Sequence, residues 1–169
     1  LMGRALQQRR SMFEGKLGKK LFARRFSLVD DPHIVRGLGS RLYDGEGIAT
    51  RRRPVFEKGK LRSYFIDTYY GNKLGTPPTS GGTTNLVVTP GKRDPAALIA
   101  AADGGIYVQG FLGGNADSTT GDFSFGIRGR LIEGGQLGAR VNEMNATGNL
   151  IELFGNFVEA ADDPYPYSS

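Results

Sequence analysis

Pro54-Val-Phe-Glu-Lys-Gly-Lys-Leu61 reads as two short strands around a two-residue turn, Lys58-Gly59, and Leu131-Ile-Glu-Gly-Gly-Gln-Leu137 repeats the arrangement around Gly134-Gly135. Glycine in such turns supplies the positive φ that tight hairpins require. The shared phrase Glu-x-Gly-x-Leu is too short to establish an internal duplication. Working outward, residues 84–89 and 106–112 are further strand candidates, and 76–82 is a loop of Pro, Thr, Ser and Gly. About three helical segments accompany them. The first is a weakly amphipathic stretch through Met2, Leu6, Arg9, Arg10 and Phe13. In the second, Asp94-Pro95 supplies an N-cap and a proline at the first helical position of 96–102. In the third, the capping-box spacing of Asn149 and Glu152 opens a helix lined by Leu150, Ile151, Phe154, Phe157, Val158 and Ala161, which Asp163-Pro164-Tyr165-Pro166 ends. Strands and helices in this order predict an α+β fold with a mainly antiparallel sheet built from hairpins, in one domain over residues 1–169. Sheet edges in such a fold invite pairing, so cover is expected from other parts of a longer protein or from a second copy.

Composition narrows the chemistry. Glycine is 26 of the 169 residues, about twice the ordinary share, without collagen's spacing, and so marks many turns and close backbone approaches. The absence of cysteine removes disulfides, thiol nucleophiles and cysteine-bound zinc, and the single His33 cannot make a multi-histidine zinc site. No P-loop, complete G-x-G-x-x-G or G-x-S-x-G phrase is present. The longest apolar run, 96–102, is far shorter than the ~20 residues of a membrane span, so no membrane role is expected. No residue is nominated as catalytic or as a metal ligand.

Charge is uneven. Residues 1–63 carry 16 Lys and Arg against 6 Asp and Glu, whereas 64–169 carry 6 against 11. A basic nucleic-acid-binding module using 1–63 is therefore the alternative function, although solvated helix and strand faces are the favoured reading of those charges. Tyr64, Phe65, Tyr69 and Tyr70 could stack bases, with core packing favoured over it. Asp44 and Glu46, two residues apart in a glycine loop, are expected to accept backbone N–H bonds or to pair with Arg41 and Arg51 rather than to do acid–base work. Residues 113–122 resemble a calcium loop at Asn115, Asp117 and Thr119, but the glycine is one place late and position twelve is Gly126, so a turn shaped by Gly and Asn/Asp side chains is expected. Asn115, Asp122 and Ser124, assigned to that loop, are the candidate ligand-lining residues.

Several longer phrases resemble one family. Ser40-Arg-Leu-Tyr-Asp-Gly-Glu-Gly-Ile-Ala-Thr50, Glu57-Lys-Gly-Lys-Leu61, Asp67-Thr-Tyr-Tyr-Gly-Asn-Lys-Leu-Gly75 and Asn85-Leu-Val-Val-Thr-Pro-Gly91 are similar to the TldD/PmbA family. So are Thr120-Gly-Asp-Phe-Ser-Phe-Gly126, Ile132-Glu-Gly-Gly135 and Thr147-Gly-Asn-Leu150, while Arg10-Ser-Met-Phe-Glu-Gly-Lys-Leu-Gly18 and Val29-Asp-Asp-Pro-His33 carry the likeness almost to the start. The resemblance implies a cytoplasmic peptidase system acting on small or unfolded peptides. Its zinc-bearing branch (TldD) carries H-E-x-x-x-H on a helix and a later Cys; its other branch (PmbA, or TldE) lacks the metal motif and pairs with the first. The wording at 120–124 and 147–150 resembles the PmbA branch, which usually follows Gly-Asp-Phe-Ser with an Arg-Gly-Ala-like phrase where this chain has Phe125-Gly126-Ile127-Arg128-Gly129. The chain then corresponds to a fragment of the C-terminal domain of a longer protein, with the zinc branch's histidines falling upstream of Leu1 and its Cys beyond Ser169. The resemblance thus implies a non-zinc partner, not catalytic alone, with no cofactor in this chain. Zinc would sit in a TldD-like partner subunit, the alternative partner is a second copy, and the substrate is a peptide.

Overall fold

The computed structural model describes residues 1–163, and the predicted helix stop at Pro164-Tyr165-Pro166 lies outside the described residues. The chain forms two compact units. Among the described residues the first is 1–89 with 118–120 and 154–158; the second is 90–117, 121–153 and 159–163. The α+β class and the antiparallel pairing agree with the sequence reading.

The first unit holds α1 (Gly3–Gln7), β1 (Leu28–Asp30), β2 (Arg53–Glu57), β3 (Lys60–Leu61), α2 (Thr68–Leu74) and β4 (Leu86–Val88). Its sheet runs β3-β2-β1-β4, every pairing antiparallel. The predicted hairpin is present. Lys58 and Gly59 both have positive φ, at 49° and 77°, as a type I′ turn demands. At Gly59 the need for glycine is also steric, since a Cβ would stand 2.1 Å from the Phe22 carbonyl oxygen. α1 is shorter than predicted and stops before Phe13, which joins the core instead. α2 was not predicted. Asp67 caps it by accepting the Tyr70 N–H at 2.7 Å, and Gly75 ends it in the left-handed conformation. The tyrosine-rich stretch is split by that helix: Phe65 is buried and the Tyr64 hydroxyl donates to the Phe13 carbonyl, while Tyr69 stays exposed beneath Lys73.

The core of this unit is aromatic. Phe22 stacks on Phe56 at 4.4 Å between ring centroids, Phe13, Phe26 and Phe154 close around them at 5.1–6.2 Å, and Phe157 packs on Phe26 at 5.3 Å. Beside it Asp30, 1% exposed, accepts the Thr84 N–H and hydroxyl at 2.7 Å each and pairs with Arg53 at 3.3 Å. Arg53 also lies 4.6 Å over the Phe65 ring. Burial lowers the Arg53 pKa, and the Asp30 charge and hydrogen bond oppose that.

The second unit holds α3 (Pro95–Ala100), β5 (Gly105–Ala116), β6 (Asp122–Glu133), β7 (Gln136–Asn149) and the start of α4 (Leu150–Gly155). α3 is capped as predicted, Asp94 accepting the Ala97 N–H at 2.6 Å. α4 is shorter than predicted: Asn149 accepts the Ile151 N–H, but the helix ends at Gly155, so Phe157, Val158 and Ala161 lie beyond it. The predicted Gly134-Gly135 turn is present, with φ of 56° and 74°, and joins strands of 12 and 14 residues. The three strands pair in the order β5-β6-β7. Every extra residue in this sheet falls on an outer strand: Gln109 and Leu112 on β5, and one each at 138–139 and 142–143 on β7. β6 stays regular, so its side chains alternate strictly between the two faces.

Gly59→Ala is expected to cost more than about 3 kcal/mol, whereas Gly134→Ala, where nothing stands within 4 Å of a new Cβ, costs only the ~1–2 kcal/mol of left-handed backbone; urea denaturation midpoints compare them. Asp30→Ala leaves Arg53 buried without its counter-charge and is expected to cost about 3–5 kcal/mol by the same measurement.

Candidate functional site

In Asp122-Phe-Ser-Phe-Gly-Ile-Arg-Gly-Arg130 the polar residues Asp122, Ser124, Arg128 and Arg130 fall at even positions with Gly126 among them, and Phe123, Phe125, Ile127 and Gly129 fall between. On a regular strand that sends Asp122, Ser124, Gly126, Arg128 and Arg130 to one face and Phe123, Phe125 and Ile127 to the other. Residues directly opposite across a ladder share a face. Asn115 of β5 and Thr147 of β7 are the partners of Ser124, and Asn149 is the partner of Asp122. The Asn149 side-chain amide donates to the Asp122 carboxylate at 2.9 Å. The three nominated residues therefore stand together on one polar face.

Their setting differs from the expectation. Asn115, Asp122 and Ser124 are strand residues; only 117–121 form the turn, closed by hydrogen bonds of 2.8 Å from the Asp117 N–H to the Asp122 carbonyl and from the Gly121 N–H to the Asp117 carbonyl. The glycines at 113 and 114 suggest a loop in the sequence, but they pair with Gly126 and Phe125 inside the sheet. Thr147, Asn149 and Asn145, partner of Gly126, belong to the same row and are not among the nominated residues. Their own alternation, Asn145-Ala-Thr-Gly-Asn149, is the local signal for a shared face, while their place beside β6 is set by pairing.

The opposite face is aromatic: Phe125 lies 5.4 Å from Phe111 and 6.0 Å from Phe123. Of the unit's large apolar side chains Ile127 is fully buried, whereas Phe111 and Leu112 are 68% and 59% exposed.

Asp44 and Glu46 behave as expected. One Asp44 oxygen accepts the Glu46 and Ile48 N–H groups at 2.9 Å each, and Glu46 accepts the Thr68 N–H at 2.8 Å. Desolvation raises the Asp44 pKa, but the Ile48, Glu46 and Gly81 N–H donors and the Arg41 charge outweigh it and hold the group below its ordinary value. His33 is an exposed turn residue whose N–H donates to Asp31. Among the described residues no three His, Cys, Asp or Glu side chains converge on a point where a metal ion could be held. Among them, too, no helix is long and apolar enough to cross a membrane.

A sequence-family model described as the PmbA/TldA metallopeptidase C-terminal domain matches residues 1–169. The chain belongs to this family. It is 32% identical over 166 residues to a metalloprotease PmbA homolog of Haemophilus influenzae, an alignment covering 96% of this chain and 37% of the relative. A metalloprotease TldD homolog of the same organism is 29% identical over 165 residues, covering 90% of this chain and 34% of the relative. The chain thus spans little more than a third of such relatives. Among solved structures, a suggested modulator of DNA gyrase from Bacteroides thetaiotaomicron superposes with a TM-score of 0.96 at 49% identity, over 99% of this chain and 38% of that one. TldE from Thermococcus kodakarensis gives 0.87 at 27% identity, over 95% and 39%. The family's name implies a catalytic metal. The donor set of the described residues, one exposed turn histidine and no cysteine, does not fit one.

Asp44 yields a pH outcome. Because its folded pKa is depressed, the stability it contributes is complete above the ordinary carboxylate value of about 3.9 and is lost as pH falls through the lowered one. Asp44→Asn keeps an acceptor oxygen and removes the titration, so denaturation midpoints followed below about pH 4 are expected to fall less steeply in the variant.

Proposed function

We propose that this chain is the peptide-handling, non-catalytic partner in a TldD/PmbA-type peptidase, of the PmbA branch, with a peptide lying along the polar face of β5–β6–β7. The observation that carries the reading is the cross-strand row of Asn115, Ser124 and Thr147 beside the Asp122–Asn149 pair, on a sheet whose two outer strands run 12 and 14 residues. Among the described residues no further strand pairs with the outer edges of β5 and β7, so a peptide crossing this face can continue onto an open edge and pair its main chain there. The PmbA branch is supported by the H. influenzae pair of relatives, in which the PmbA homolog matches at higher identity and over more of the chain than the TldD homolog.

The partner in this reading is a zinc-bearing TldD-like subunit in the cytoplasm, which supplies the metal. Exposed Phe111 and Leu112 give such a subunit an apolar surface to cover. The alternative, nucleic-acid binding through 1–63, is weakened because Arg9, Arg52, Arg53 and Arg62 are each engaged by a carboxylate in that same stretch.

Mixing this protein with the zinc-bearing subunit is expected to produce peptide hydrolysis that neither gives alone. The triple variant Asn115→Ala, Asp122→Ala, Ser124→Ala should lower that activity about tenfold or more, the loss of one or two hydrogen bonds at a binding surface, while circular dichroism shows an unchanged fold. Hydrolysis by the isolated chain, or full activity of the variant pair, overturns the proposal. Nucleic-acid affinity that falls steeply with salt would favour the alternative instead.

A further inference from the structure

Three arginines share one recess in the three-stranded sheet. Arg128 and Arg130 stand two residues apart on β6 and so lie on one face, and Arg140 of β7 is the direct cross-strand partner of Arg130. With Gln109, Gly129 and Asn142 they line a cavity of about 460 Å³ that contains no carboxylate. The place is built by the ladder itself. Both neighbours of β6 carry an extra residue at the level of Arg128, Gln109 on one side and one of 142–143 on the other, and bulges of this kind re-aim side chains. Arg130 is held in position by its own hydrogen bonds, Nε to the Gly138 carbonyl and Nη2 to the Leu137 carbonyl, each 2.9 Å. The salt bridges found among the described residues all lie elsewhere. Like charges directly opposite across a ladder are destabilising, so this cluster costs stability that an anion would return. A second recess lined by Arg51, Arg52 and Arg53 differs in that Asp31 and Asp30 already engage two of its arginines.

We propose that the Arg128–Arg130–Arg140 recess binds the carboxylates of an acidic peptide segment, which rests on the reading of this face as a peptide-lining surface and gives it a substrate preference. Guanidinium groups present paired donors that match a carboxylate bidentately. The Gln109 and Asn142 amides both donate and accept, as a peptide backbone beside the carboxylate requires. A long polyanion suits the unit poorly, because its described residues hold five Lys and Arg against ten Asp and Glu. A short acidic segment meets only the local cluster.

Fluorescence anisotropy with a labelled Glu-rich peptide and its Gln counterpart tests this on the full chain and on the R128Q/R140Q double variant. The Glu peptide is expected to bind, the Gln peptide not, and the double variant to lose about tenfold or more in affinity. Its melting temperature should stay level or rise, because two repelling charges are gone. If that variant fails to fold, R128K/R140K keeps the charge without the paired donors and is expected to bind several-fold more weakly than the parent. Equal binding of the two peptides, or unchanged affinity in the folded variants, overturns the inference. So does arginine-dependent binding of inorganic phosphate or of a single-stranded oligonucleotide without binding of the Glu peptide. Hydrolysis of neutral peptides by the reconstituted pair is read in parallel, so the preference can fail while the peptide-lining reading stands.

Discussion

The second unit depends on β6 staying in register. A shift of one residue in pairing would carry Phe123, Phe125 and Ile127 to the polar face and Asp122, Ser124, Arg128 and Arg130 to the apolar one. The sheet avoids this by placing every irregularity on its outer strands. Each bulge adds twist locally and leaves one outer residue unmatched, while the central strand keeps both ladders and its alternation. The candidate site depends on that division, because the unbroken alternation of β6 is what brings Asn115, Thr147 and Asn149 into line with Asp122 and Ser124.

The first unit is organised by a different constraint, a buried charge. A carboxylate moved out of water costs several kcal/mol unless it is paired and hydrogen-bonded. Asp30 meets that condition with three donors from two distant parts of the chain: two from Thr84, 54 residues on, and one from Arg53, 23 residues on. β1 has only three residues, yet it is the strand between β2 and β4, and Asp30 at its end engages a residue beside each of them or within it. An apolar residue at this position would pack without specifying which segments meet.

Features set by local chemistry were legible in the sequence. Lys58-Gly59, Gly134-Gly135 and Asp94-Pro95 each satisfy a backbone requirement within four residues, and each is where the sequence places it. α2 carries equally local signals, an Asp67 cap and Gly75 at the end, but its aromatic content draws the reading toward packing. The long strands read short for a physical reason. β5 and β7 are mostly exposed and rich in glycine and polar residues, so they lack the apolar density by which strands are recognised. Their extent is dictated by pairing with β6, a non-local condition. α4 differs in the other direction, since Phe157 and Val158 continue an apolar pattern past Gly155, and Phe157 is used by the Phe26 ring rather than by a helix face. The candidate residues read as loop positions in the sequence and are united by a ladder instead.

The charge of the chain shows the same difference between totals and placement. A formal +5 suggests a protein drawn to polyanions, yet the surplus lies in residues 1–63, where several arginines are engaged by neighbouring carboxylates. The second unit is net acidic, and three of its five cations occupy one face within a single recess. At physiological ionic strength interactions between exposed charges fade over about 8 Å. Strands rise ~3.3 Å per residue, so Asp122 lies about 20 Å along β6 from Arg128, beyond that range. The carboxylate end and the guanidinium end of the face therefore act on a ligand separately. A peptide bound as proposed would meet hydrogen-bonding side chains at one end of β6 and positive charge at the other, which would give the face a direction as well as a chemistry.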